Sequence, residues 1–204
     1  MRSAHRQAGR TALRVAAGLG AALIVVTLGS AGPAAASDSV PDAVPSGGSF
    51  AMTTANGILP TWEAIGLRLT GVSPGKAITN ASGVSADLWL PIVARFGSAN
   101  YAAGGFRITN TKSGKFVNCA TPAIDTKAML LDCSMRDGTN AALFRIEKAD
   151  RPRTLAGGGT QVSNMLLRVS DQDAADFLND ELGVNTFSTY VTVFLGDLTV
   201  TPRP

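Results

Sequence analysis

Few residues in this sequence have types and spacings suited to chemistry. The only histidine is His5, in an N-terminal segment expected to be removed. A Ser-His-Asp hydrolase or a Cys-His protease needs an imidazole that takes up and returns a proton near neutral pH. Catalytic zinc loses its commonest ligand for the same reason. Ser113-Gly114-Lys115 places a hydroxyl near an amine, but the tripeptide reads as a hairpin turn. A carboxylate-pair glycosidase needs only Asp and Glu, so it survives as an alternative. The acids available to it are Glu63, Asp87, Asp125, Asp132, Asp137, Glu147, Asp150, Asp197 and a cluster from Asp171 to Glu181. Most fall at turns or helix ends, where capping accounts for them, and two Trp with two Tyr are few for a sugar-stacking cleft. No catalytic residue is assigned, and the chain is read as a non-enzyme.

Metal and cofactor chemistry is equally sparse. Asp171, Asp173, Asp176, Asp180 and Glu181 invite comparison with a calcium loop, yet the sixth position, Asp176, lacks the required glycine. A solvated helix face is the better reading, and neither a metal nor a cofactor is expected. Haem would need an axial ligand, for which the sequence offers Tyr101 and Tyr190 or one of Met52, Met129, Met135 and Met165. Cys119 and Cys133 are the only cysteines. In an exported chain they are expected to form a disulfide across a hairpin centred at residue 126, on the turn Asp125-Thr126-Lys127.

Export is the expectation that frames these residues. Arg2, Arg6, Arg10 and Arg14 form a basic start without acids, Val15–Leu28 is uncharged and apolar, and Ala34-Ala35-Ala36 suits a signal peptidase. Residues 1–36 are therefore read as a signal peptide, without the Arg-Arg pair of the twin-arginine route. No cysteine follows the apolar run, so no lipid anchor is expected. Removing four arginines from the 18 basic residues leaves 14 against 15 acids, a net charge of −1. Nucleic acid and anionic membranes thereby lose their electrostatic support as partners. Residues 37–49, rich in Ser, Pro and Gly, read as a disordered linker. Residues 50–201 read as one β-rich domain and 202–204 as a polar tail.

The domain's elements must position whatever site exists. Ile58–Ile65 reads as a short helix closed by Gly66, and Gly66–Val72, Val84–Phe96 and Gly104–Asn110 as strands. Pro91 argues for an edge position or a bulge in the second of these. Lys115–Cys119, Ala128–Cys133, Leu143–Glu147 and Met165–Ser170 add strands, and Phe187–Leu195 a long final one. Asp171–Leu182 is the best helix, with Ser170 as cap, Gly183 as stop and an inward stripe of Ala174, Phe177, Leu178 and Leu182. Many short strands with two short helices predict a mainly β fold, an antiparallel β-sandwich or barrel-like domain.

Gly104-Gly105-Phe106-Arg107-Ile108 followed by Pro122-Ala123-Ile124-Asp125 resembles the hairpin of exported actinobacterial β-domains related to the haem-transport-associated (HtaA) type. Ala174-Ala175-Asp176-Phe177-Leu178-Asn179, Leu182-Gly183 and Phe187 resemble their closing element. The resemblance implies a cell-envelope or secreted binding domain. For the HtaA type proper it implies haem held by a tyrosine with a histidine, but here Trp62 stands in the first helix and the histidine is missing. The fold and location carry over and the haem site does not. The expectation is a secreted, non-enzymatic module binding an envelope or extracellular macromolecule, with a haem or small-ligand carrier as the alternative and Tyr101 and Tyr190 as its only tyrosines.

Overall fold

The computed structural model describes residues 43–203, so the expected signal peptide lies outside the described residues. The first strand, β1 (Val44–Thr54), begins inside the segment read as a linker. Residues 44–49 are paired backbone: Ser46 lies opposite Pro202 and Ser49 opposite Thr199 of the last strand. Composition misleads here because Gly48 is a strand residue. At its φ of +108° a β-carbon would strike the Thr199 carbonyl, so the small residue permits the close pairing. Pro202, expected in the tail, is likewise the end of that last strand.

After β1 come α1 (Ile58–Ile65), β2 (Leu67–Val72), β3 (Lys76–Thr79), β4 (Ala86–Phe96), β5 (Ala99–Ala102), β6 (Gly105–Asn110), β7 (Phe116–Asp125), β8 (Leu130–Ser134), β9 (Asn140–Lys148), β10 (Arg153–Thr154), β11 (Thr160–Val169), α2 (Gln172–Leu182) and β12 (Thr192–Pro202). Strands β7-β5-β4-β1-β12-β11-β9-β8 follow one another, and β8 pairs back onto β7. The result is a closed, eight-stranded antiparallel barrel. Closure leaves no free edges in the ring, while β2, β6, β3 and β10 extend it at the margins.

Pro91 sits in β4, which has partners on both sides. β3 pairs with residues 86–89 and β5 takes over from Ile92, so the proline lies at the handover between them. Its missing N–H thus falls between two ladders, and the edge rule is met locally inside a central strand.

The barrel is filled by its own side chains. Phe50, Phe144 and Phe194 have 0% exposure and Phe106 2%. The rings of Phe106, Phe144 and Phe194 pack mutually at 5.5–6.1 Å between centroids, mostly edge to face. Trp62 of α1 joins this cluster through Phe194 and Phe187. Among the described residues the buried polar side chains are Ser46, Thr54, Asn100 and Asn110, none of them ionisable.

Helix α2 is capped by Asp171 rather than by the expected Ser170. Asp171 accepts from the Ala174 N–H, while the Ser170 hydroxyl donates to the Ala142 carbonyl. Its buried stripe is Ala174, Ala175, Leu178 and Leu182; Phe177 is only half-buried. Phe187 does not open a strand. Asn179 accepts from the N–H groups of Thr186 and Phe187 and donates to the Phe187 carbonyl, folding the segment so that the ring turns inward onto Trp62.

Candidate functional site

The outer face of β6 and β7 gathers two arginines around one aromatic ring. On β6 and β7 the inward residues are Phe106, Ile108, Val117 and Cys119, so Arg107, Phe116 and Asn118 occupy the outer face. Arg107 lies directly opposite Asn118, and Phe116 is opposite Thr109, one diagonal step from Arg107. Arg136 arrives from the β8–β9 turn, which is closed by the Met135 N–H donating to the Thr139 carbonyl. The Arg107 guanidinium carbon lies 4.5 Å from the centroid of the Phe116 ring and that of Arg136 5.7 Å. Two cations therefore share one aromatic ring.

Phe116, Asn118 and Arg136, but not Arg107, border a cleft of about 590 Å³ whose other walls include Met135, Asp137, Phe177 and Glu181. Among the described residues neither arginine has a carboxylate within 4.0 Å; the ion pairs are Arg145–Glu147 and Arg168–Glu147. Arg107 Nε and Asn118 Oδ1 are buried and make no hydrogen bond. Asp137 is engaged by the Thr139 hydroxyl and N–H, which hold its carboxyl below the usual range. The arrangement can offer several free N–H donors beside an apolar wall formed by Phe177 and Met135.

The other expected residues take structural places. Cys119 and Cys133 are joined, with 4.7 Å between their α-carbons. The hairpin is not centred at residue 126, however: Asp125 pairs with Leu130 and Ile124 with Leu131, and a register shift between Ala120 and Ala123 brings the cysteines together diagonally. Tyr101 faces outward on β5 between Ala94 and Ala123. Tyr190 is 83% exposed in the turn before β12. Strand β12 begins beside the Thr53–Asp87 end of β1 and β4, and Asp87 precedes Ala94 by seven residues, about 23 Å along a strand. The two tyrosines are therefore not brought together. Met52 and Met165 are core residues.

Asp125 and Asp132 are diagonal neighbours on β7 and β8. Burial opposes ionisation of Asp125, but hydrogen bonds from the Ala128 N–H, the Ser98 hydroxyl and the Lys127 N–H outweigh it and lower its pKa. Burial, then the Asp125 charge, raises Asp132. A split pair of carboxylates is the pattern a glycosidase would need. Here both Asp125 oxygens are committed to the turn and to Ser98, which makes it an anchor for the β7–β8 connection. Among the described residues no three His, Cys, Asp or Glu converge as metal ligands, and no helix is long and apolar enough to cross a membrane.

Comparison with protein-family profiles, curated proteins and solved structures returns no match to this chain. The arginine-flanked cleft had one trace in the sequence. Phe116 occupies an outward position next to inward Val117, an aromatic ring where the alternation calls for a polar residue.

Proposed function

We propose that this protein is an exported, non-enzymatic binding module that works at the cell envelope or on an extracellular macromolecule. The observation that carries the reading is the filled barrel. With Phe50, Phe106, Phe144 and Phe194 occupying the interior, a partner has to be met on the outer surface. That surface presents an unpaired guanidinium pair over an aromatic ring, an arrangement suited to recognition and lacking a committed proton donor or nucleophile. The basic and apolar N-terminal segment supports export. Haem is no part of the proposal, because Tyr101 and Tyr190 lie apart and the lumen is occupied by side chains.

The test is sedimentation of purified residues 37–204 with cell-envelope preparations of the source organism over a range of protein concentrations. Saturable pelleting that exceeds pelleting with an unrelated disulfide-bonded β-protein is expected. Pelleting no greater than that control would overturn the reading.

A further inference from the structure

The closed ring uses up its strand edges, but two of the strands added to it keep one each. Among the described residues β2 pairs only with β6, and β3 only with β4. In an antiparallel ladder every second residue gives its backbone N–H and C=O to the partner strand, and the residues between direct theirs the other way. The Gly66 carbonyl accepts from the Thr111 N–H, which continues the β2–β6 register by one pair and sets its phase. Arg68 and Thr70 therefore bond to β6, while Leu67, Leu69 and Gly71 turn their backbone groups away from it. For β3 the phase is set by the Asn80 N–H, which donates to the Ser85 carbonyl. Lys76 and Ile78 bond to β4, while Ala77 and Thr79 turn away from it.

Both outward rows border one cleft. Residues 66–71 line a space of about 540 Å³ together with Ala77 and Thr79 of β3 and Leu59 and Glu63 of α1. Inward and outward residues of β2 alike border it, so the cleft follows the edge of the strand. A β-carbon added at Gly71 would lie 2.7 Å from the Ala77 backbone nitrogen, so the two chains touch at that end. The usual guards of an edge are missing from β2: it has no proline, and its register with β6 is unbroken. Its inward residues, Leu67 and Leu69, are apolar and give the cleft an apolar inner wall with Leu59. Arg68, Thr70 and Thr79 lie toward solvent.

A row of backbone donors and acceptors is matched by another backbone, and one extended segment can meet both rows at once. Neither end of the described chain is near. Val44 lies opposite Arg95 and Pro202 opposite Ser46, whereas β3 pairs around Asp87, which precedes Arg95 by eight residues, about 26 Å along a strand. The β2 edge of a second copy comes with its own β6, α1 and β3 alongside, too broad for a cleft walled on both sides. We infer that the cleft between β2 and β3 is a strand-addition site for an extended segment of another polypeptide, alternating apolar residues inward with polar residues outward. The inference goes beyond the envelope-binding reading and uses a surface separate from the cleft beside α2.

The probes are acetyl-Thr-Val-Thr-Val-Thr-amide and a copy N-methylated at both valines, titrated into isotope-labelled residues 37–204 with amide shifts recorded. Saturable shifts are expected on Leu67–Gly71 and Ala77–Thr79. The N-methylated copy lacks donors toward one edge and should bind about tenfold more weakly or worse. Thr79→Pro removes an N–H aimed into the cleft without touching the β3–β4 ladder, and should weaken binding to a similar degree. Thr79→Ala keeps that N–H and should bind as the parent does, with circular dichroism and melting checked for both variants. No saturable shifts on the two edges, equal binding of the N-methylated copy, or parent-like affinity in folded Thr79→Pro would overturn the inference. So would a dimer in analytical ultracentrifugation that Thr79→Pro converts to monomer, because a second copy would then fill the edge. A protein that pellets with envelope but fails these titrations loses this site alone, and one that binds the peptide without pelleting keeps it.

Discussion

Asp125 and Asp132 have opposite effects on stability although they are diagonal neighbours. The pKa of Asp125 is lowered in the folded state, so in the window below the usual carboxylate value the unfolded chain binds more protons. Its contribution is fully present above that window and is lost as pH falls through it. The pKa of Asp132 is raised by burial and then by Asp125, so above the usual value the folded state holds the extra proton. Stability then declines as pH rises through that second window. Thermal unfolding at pH 7 should accordingly show Asp125→Asn less stable than the parent and Asp132→Asn equal to it or more stable. The reverse ranking would mean that Asp125 is not the anchor of the β7–β8 turn. Phe194 shows how far packing dominates such terms. It is fully buried against Phe106, Phe144 and Trp62, and Phe194→Ala should cost about 3–5 kcal/mol in urea unfolding.

At the scale of elements, alternation and caps made much of the fold legible in the sequence. Leu67 and Leu69 against Arg68 and Thr70 marked β2, and Gly66 and Gly183 end both helices in left-handed backbone. What was illegible depended on distant partners. Residues 44–49 look like a tether until Ser46–Ser49 find Pro202–Thr199, and Phe187 completes an apolar alternation that Asn179 overrides from the preceding helix. The cysteine pairing was legible from the number of cysteines and the expectation of export, whereas its register was not, because a bulge near Thr121 has no sequence mark. Replacing both Cys119 and Cys133 by serine should lower stability by about 3 kcal/mol, the chain-entropy value for a short loop. Denaturant titration of parent and variant checks this, and an unchanged midpoint would mean the barrel holds the β7–β8 pair without the bond. In α2, Leu178→Ala should cost about 2–5 kcal/mol, while Phe177→Ala should cost less, its ring being only half-buried. Equal losses would place Phe177 in the core and remove the apolar wall of the cleft.

For the molecule as a whole, the closed barrel concentrates its large apolar side chains inward. The class of fold followed from many short strands, but the cleft did not. It needs Phe116 from β7, Arg136 from a turn and Phe177 from a helix, a meeting that only the topology creates. Under the proposed function, partners bind at this outer cleft. Amide chemical-shift mapping of isotope-labelled residues 37–204 during titration with solubilised envelope material tests it most directly. The largest shifts should fall on Phe116–Asn118, Met135–Thr139 and Phe177–Glu181. Shifts centred instead on the Tyr101 face, around Tyr190 or through the Phe106–Phe144–Phe194 core would contradict it.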